Sequence, residues 1–289
     1  MMLPGILYYI IFHYIPMYGV VISFQNFRPF QGISGMFINP EWVGLKNFTD
    51  FFKSYYFFRL IRNTLLISFY RLIFMFPLAI LLALLVNEVR NRHAKKIIQT
   101  ISYMPHFLSW VIISGLVITL LSPTSGAINE LRKSLRMEPI AFLGEAKYFR
   151  AIITIAGIWR SIGWSSIIYL AALTSVSNEL YESASLEGAT RIQQMLYISL
   201  PAISDVIIIV FILNLGKVMD GGFEKVLLLY SPGVYETGDI IDTYVYREGI
   251  KNLRYSYAAA VGLFKNIIGM ILVLSTDRIA KIFGKEGIW

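Results

Sequence analysis

The stretch NELYESASLEGATRIQQMLYISLP, Asn178 to Pro201, is polar, carries Glu179, Glu182 and Glu187, and lies between two long apolar runs. In a hydrophobic chain, such an interruption is where the polypeptide leaves one apolar environment, turns and re-enters it. The residues indicate how it turns. Asn178 is a candidate N-cap, and Glu179 to Leu186 are mostly good helix formers. Gly188 is a natural stop, because glycine accepts the left-handed backbone that ends a helix. Thr190 followed by Gln193 has the spacing of a capping box and predicts a second helix in a new direction. Ile192, Met195, Leu196 and Ser199 share one face of that helix, and Pro201 marks entry into the next apolar run. A surface hairpin whose acidic face is simply solvated accounts for these signals as well.

The surroundings of the stretch set the fold class. Of 289 residues, 56% are hydrophobic and 15% charged, and mean hydropathy is +0.61. Soluble domains carry about 25% charged residues, so the chain belongs in a lipid bilayer. Crossing the hydrocarbon core takes about 20 mainly apolar residues. Six stretches approach that length: residues 3–24, 64–86, 101–121, 151–176, 202–219 and 257–276. The fifth is the shortest. The expectation is an all-α, polytopic membrane protein with about six transmembrane helices, forming one domain over residues 1–289 with its core spans at about 64–276. The first run has no charged leader region and no small-residue cleavage site, so it should be retained. Orientation is hard to read from Lys/Arg bias, because the long loops hold many basic residues. By density, the segment 87–100 is the most basic, with four in 14 residues, which favours the cytoplasm.

Several chemistries are excluded. Zero cysteines rule out disulfides, Cys-ligated metal sites and thiol catalysis. No phosphate-binding G-x-x-x-x-G-K-[ST] loop, H-E-x-x-H or G-x-S-x-G occurs, and His13, His93 and His106 are too dispersed for a metal site. No catalytic residues are assigned. The net charge of +8 is scattered among apolar runs, which suits anionic lipid and not nucleic acid.

The polar stretch also carries a resemblance. Glu182-Ser183-Ala184, then Gly188 after three further residues, then Ile198-Ser199-Leu200-Pro201 after nine more, resembles the EAA loop of ABC importer permeases. Ser183 stands at the second position of E-A-A in place of alanine, and Glu187 at the commoner aspartate. In that family the loop is cytoplasmic and forms the coupling helix that docks on an ATPase subunit. The resemblance implies that segment 177–201 is this loop. Glu182 would make a polar contact with the ATPase, Gly188 the shaping turn and Leu196 the apolar contact, with Ala184, Glu187 and Pro201 completing the motif. WVGLKNF (Trp42–Phe48), RNTLLIS, LLALLVNEVRN, QTISYMPHFLSWV, LLSPTSGAIN, GWSSIIYLAAL, TYVYREGI and the final GKEGIW are similar to the polysaccharide or complex-sugar subgroup. The match covers essentially the whole chain. It departs at the start, where the family's usual basic cytoplasmic leader is not seen before the first apolar run.

The resemblance implies a type I ABC importer permease fold in a bacterial cytoplasmic (inner) membrane. It implies a transport subunit, not an enzyme, with no cofactor of its own, since ATP and magnesium would bind partner ATPases. Implied partners are a homologous second permease, two ATPase subunits and an extracellular lipid-anchored or periplasmic sugar-binding protein. The implied cargo is a carbohydrate, an oligosaccharide above all. Alternatives are a same-architecture importer of a non-sugar solute and an ion-coupled secondary transporter. The latter should show intramembrane acids and inverted repeats, whereas the six stretches hold only Asp205, close to an end.

A sugar pathway needs hydrogen-bonding groups and aromatic faces in an apolar shell, and ionisable residues within spans are functional candidates by default. Lys265 and Asn266 lie mid-span beside Gly262 and Gly269, Asn214 and Lys217 are three apart on the fifth span, and Trp159 and Arg160 with Trp164 cluster on the fourth. Close helix packing explains the glycines equally well. Arg160 and Lys217 have the alternative of snorkelling to an interface. Lys265 is the deepest, and is expected to line a cavity or pair with a neighbouring subunit. Trp42 and the run FFKSYYFF read as interface-belt residues.

Overall fold

The computed structural model describes residues 2–38 and 40–282; the final GKEGIW lies outside the described residues. Helices dominate, and among the described residues the β-pairing is an isolated bridge between Gln25 and Trp42. Four helices are long and apolar enough to cross a membrane, Leu3–Phe24, Phe57–Asn87, Ala146–Leu173 and Tyr255–Arg278, and the total is up to six when each of two bent pairs is counted as one span.

The second span starts seven residues earlier than the hydropathy pattern places it. Arg59 and Arg62 belong to the helix and direct their charges into polar contacts with the chain beyond the fifth span. The third stretch is a correction. Residues 101–121 read as one span, but Arg92–Phe107 and Trp110–Leu120 meet at 98°. Pro105 sits in a tight 3₁₀ turn, Leu108 is extended, and the Ser109 hydroxyl accepts from the Ile112 N–H to cap a new helix. The fifth span is also bent, by 63°, between Arg191–Ala202 and Ser204–Gly216. Pro201 has no N–H to give the preceding turn, which widens into a π-helix at Met195–Ser199. The apolar run thus begins at Ser204, past the break, and not directly at Pro201.

Lipid is as apolar as leucine, so the bundle is held by close packing and hydrogen bonds. Ala79 and Ala83, one turn apart on the second span, let it approach Tyr169 and Leu173 of the fourth. Gly163 marks the tightest crossing. A Cβ built there would stand 2.1 Å from the Ser102 carbonyl oxygen of the third span. Gly163→Val is expected to force the helices apart and cost about 1–3 kcal/mol, read as a lower thermal unfolding midpoint in detergent. An unchanged midpoint would contradict this crossing.

The segment between the fifth and sixth spans, which in sequence is a long glycine-containing loop, is a folded insert. Phe223–Leu229 and Ile241–Tyr246 are helices, and Val226, Val234, Ile240 and Ile241 are fully buried. Ile67 of the second span and Phe149 and Ile153 of the fourth pack against it. It is as much a part of the core as the spans are.

Candidate functional site

Two regions concentrate the predicted residues. The first is the polar stretch. Its first helix is Asn178–Leu186, capped by Ser177, whose hydroxyl accepts from the Glu179 N–H at 3.2 Å. Asn178 is therefore the first helical residue and not the cap; the serine before it takes that place because its backbone is extended. The helix ends in a Schellman motif: Gly188 is left-handed at φ +83°, the Gly188 N–H reaches the Ser185 carbonyl, and the Ala189 N–H reaches that of Ala184 at 2.9 Å. Thr190 and Gln193 then form the capping box, with the Thr190 N–H donating to Gln193 Oε1 at 2.7 Å.

Two contacts fold the stretch back on itself. Gln194 Nε2 donates to the Ser185 hydroxyl at 2.8 Å, and the Tyr181 and Ser199 hydroxyls meet at 2.8 Å. Ser199 is consequently buried, and Met195 packs on the core between the second and fourth spans. The predicted apolar face is thus divided: Met195 and Ser199 point inward, while Ile192 and Leu196 are exposed. Glu182 is exposed, as are Glu187 and Gly188, and Ala184 is half-buried. Leu186 at 91% and Tyr197 at 78% exposure stand further out than Leu196. Sequence reasoning passed over both, although an apolar residue at the end of a polar helix is a usable signal. A notch of about 290 Å³ opens beside Tyr197, lined also by Ala184, Glu187, Gly188 and Gln193.

The second region lies midway along the spans. Arg71, at the centre of the second span, begins a π-helical turn, Arg71–Met75. Its Nη2 donates to the Lys217 carbonyl at 2.8 Å, where the fifth span ends, and the Ser68 hydroxyl holds the Asp220 carbonyl at 3.3 Å. The chain reverses there. Gly222 is left-handed at φ +77°, and Asp220 Oδ1 accepts the Gly222 N–H at 3.0 Å. This reversal delivers Lys225 to the interior, 93% buried (7% exposed), close to Gly157 of the fourth span. Two adjoining cavities, about 250 and 390 Å³, share Arg71, Asn214 and Lys217 as lining; Lys225 and Trp110 close the first, and Trp164 and Tyr169 the second.

The other candidates are placed as follows. Arg160 donates Nε to the Leu108 carbonyl at 3.2 Å and lies 5.1 Å over the Trp110 ring, bracing the bend of the third span. Trp159 is 47% exposed on the same helix and lines neither mid-span cavity. Trp164 stacks on His106 at 4.5 Å. Lys265 forms an ion pair with Asp242, so its partner lies within this chain. That pair and Asn266 border a cavity of about 800 Å³ between the first and sixth spans. Lys225 and Asp242 went unnoticed in the sequence because they belong to the apparent loop. Arg71 did carry a signal, as the one formal charge in residues 64–86.

Comparison with known proteins follows the same outline. The family model of the binding-protein-dependent transport system inner membrane component matches residues 75–286. The polygalacturonan/rhamnogalacturonan transport system permease protein YteP of Bacillus subtilis (strain 168) is 48% identical over 100% of this chain and 89% of its own. A chain of a bacterial ABC transporter involved in the import of the acidic polysaccharide alginate superposes with a TM-score of 0.90 at 40% identity, covering 99% of this chain and 95% of that one. A second structure, in complex with alginate pentasaccharide-bound periplasmic protein, gives 0.89 at 39% identity, covering 100% and 95%.

Proposed function

Since this chain belongs to the family of binding-protein-dependent transport system inner membrane components, we propose that it is the permease subunit of an ATP-driven importer of oligosaccharides. It resides in a bacterial inner membrane. Delivery of the sugar by an extracellular binding protein accords with the neighbour crystallised with its periplasmic protein. The cargo class accords with the polysaccharide permeases and importers that the chain resembles.

The observation that carries the coupling role is the form of the polar stretch. It is a doubly capped helix–turn–helix whose Glu182, Leu186 and Tyr197 project from the bundle, continuous with the bent fifth span that reaches Asn214 and Lys217 at the mid-span cavities. A push on the loop is thereby delivered to the cavity wall. ATP and magnesium are bound by two partner ATPase subunits, and this chain pairs with a homologous permease; it performs no catalysis and holds no cofactor itself. Glu182, Ala184, Glu187, Gly188, Leu196 and Pro201 make or shape the ATPase contact, and Asn214 and Lys217 line the pathway.

Reconstituting the chain with its partner permease, ATPases and binding protein into vesicles tests this reading. Uptake of oligogalacturonides or arabino-oligosaccharides is expected to require ATP and to survive ionophores that dissipate proton and sodium gradients. Uptake that persists without ATP and collapses with the ionophores would instead establish a secondary transporter.

A further inference from the structure

We propose that Arg71, Lys217 and Lys225 form a carboxylate-reading station in the translocation pathway, so that the cargo is an anionic, uronate-bearing oligosaccharide. The proposal rests on the importer reading above and deepens it.

Cations at membrane depth are costly and are normally paired. Here all three line the smaller cavity, and Arg71 and Lys217 also line the larger one beside it. Among the described residues none of the three is within ion-pair distance of a carboxylate. Asp220 is the one acid whose charge reaches Arg71 and Lys225, leaving three positive charges against one negative. Nearby Lys265, by contrast, has its own partner in Asp242. Lys225 is 93% buried (7% exposed), borders the smaller cavity and has no hydrogen-bond acceptor among the described residues. Arg71 spends one donor on the Lys217 carbonyl, which leaves most of its planar fork free for the bidentate geometry that carboxylates favour.

The walls suit a sugar ring as well as its charge. Trp110 and Trp164 line the cavities as aromatic groups, each with one face covered, by Arg160 and by His106. Asn214 donates Nδ2 to the Val210 carbonyl at 2.8 Å, so its Oδ1 remains an acceptor for a hydroxyl. The cavities are adjoining and of monosaccharide scale, which fits successive residues of a chain passing the cations in turn. A neutral sugar would leave the positive charge in excess over Asp220 throughout transport; a uronate supplies a further counter-ion at each step.

The probes are trigalacturonic acid and its fully methyl-esterified form, which has the same rings without the charge. Binding of each is measured on the detergent-purified importer without the binding protein, so that delivery selectivity does not enter. The acid is expected to bind about tenfold or more tightly than the ester, and Lys217→Gln and Lys225→Met each to lower that preference several-fold by weakening the acid more than the ester. Equal affinity for acid and ester in the unmodified importer would overturn the proposal, as would both variants keeping the preference. Should Lys225→Met not fold, Lys217→Gln decides alone, because its exposed side chain holds nothing in place. ATP-driven uptake in vesicles is the second arm: transport of neutral but not acidic trimers overturns the station and leaves the importer standing, whereas no ATP-dependent uptake of any trimer overturns the importer reading.

Discussion

Gly188→Trp and Glu182→Lys should each abolish ATP-driven uptake while the membrane protein remains folded. At Gly188 the backbone is left-handed, and a built Cβ meets nothing within 4 Å. Substitution therefore costs only the local strain of that conformation, about 1–2 kcal/mol, and the indole is left projecting from the surface proposed to seat in the ATPase. Glu182 is exposed and makes no hydrogen bond within the described chain, so reversing its charge disturbs a partner and not the fold. Loss of one interface anchor is worth about 2–4 kcal/mol, or roughly 30- to 1,000-fold in affinity. The measurements are co-purification of the ATPase subunits and uptake in reconstituted vesicles, with size-exclusion profiles as the folding control. Wild-type uptake in both variants would remove the coupling assignment. Leu186→Asp belongs in the same series, because Leu186 stands further out than the motif's own Leu196.

The largest effect on stability is expected at Asp239. Its carboxylate is fully buried and accepts Arg247 through both nitrogens at 3.1 and 2.7 Å and the Thr243 hydroxyl at 2.9 Å, with Arg59 at 3.6 Å. Its carbonyl accepts Asn63 at 3.0 Å, and Asn63 in turn accepts Arg150 at 2.8 Å. One acid thereby joins the second span, the fourth span and the folded insert. Arg247 is desolvated, which alone would lower its pKa; the Asp239 bond and charge outweigh this and raise it. Removing the acid leaves two guanidinium groups facing each other in a part-buried site. Asp239→Ala is expected to cost about 3–5 kcal/mol and to lower the thermal midpoint by roughly ten degrees. The exposed Glu130–Lys133 pair is the comparison: Glu130→Gln should leave the midpoint where it is, since a solvated pair is screened. Equal midpoints for both variants would show that the Asp239 network does not hold the insert.

The two regions differ in how far they can be read in advance. The polar stretch is legible almost residue by residue, because a cap, a Schellman turn and a capping box are satisfied within five residues of chain. The one misplacement, Asn178 for Ser177 as the cap, is a shift of one position between two competent residues. Lys265 could be flagged as a charge in an apolar run, but its partner Asp242 could not, since the pairing depends on how the insert folds.

What the sequence by itself determined, then, is the position of the apolar stretches, the helical class and the local form of the polar stretch. All three follow from short-range rules: hydrocarbon thickness sets span length, and backbone groups near helix ends take partners from their own neighbours. Only the tertiary structure decided the 98° and 63° bends, the burial of the 220–254 segment and the meeting of Arg71, Lys217 and Lys225. Arg71 and Lys217 are joined across 146 positions. Such a contact depends on the depth, rotation and reversal of whole helices, which are set by the close packing of small residues such as Gly163 and Ala83 and leave no periodic trace in the chain.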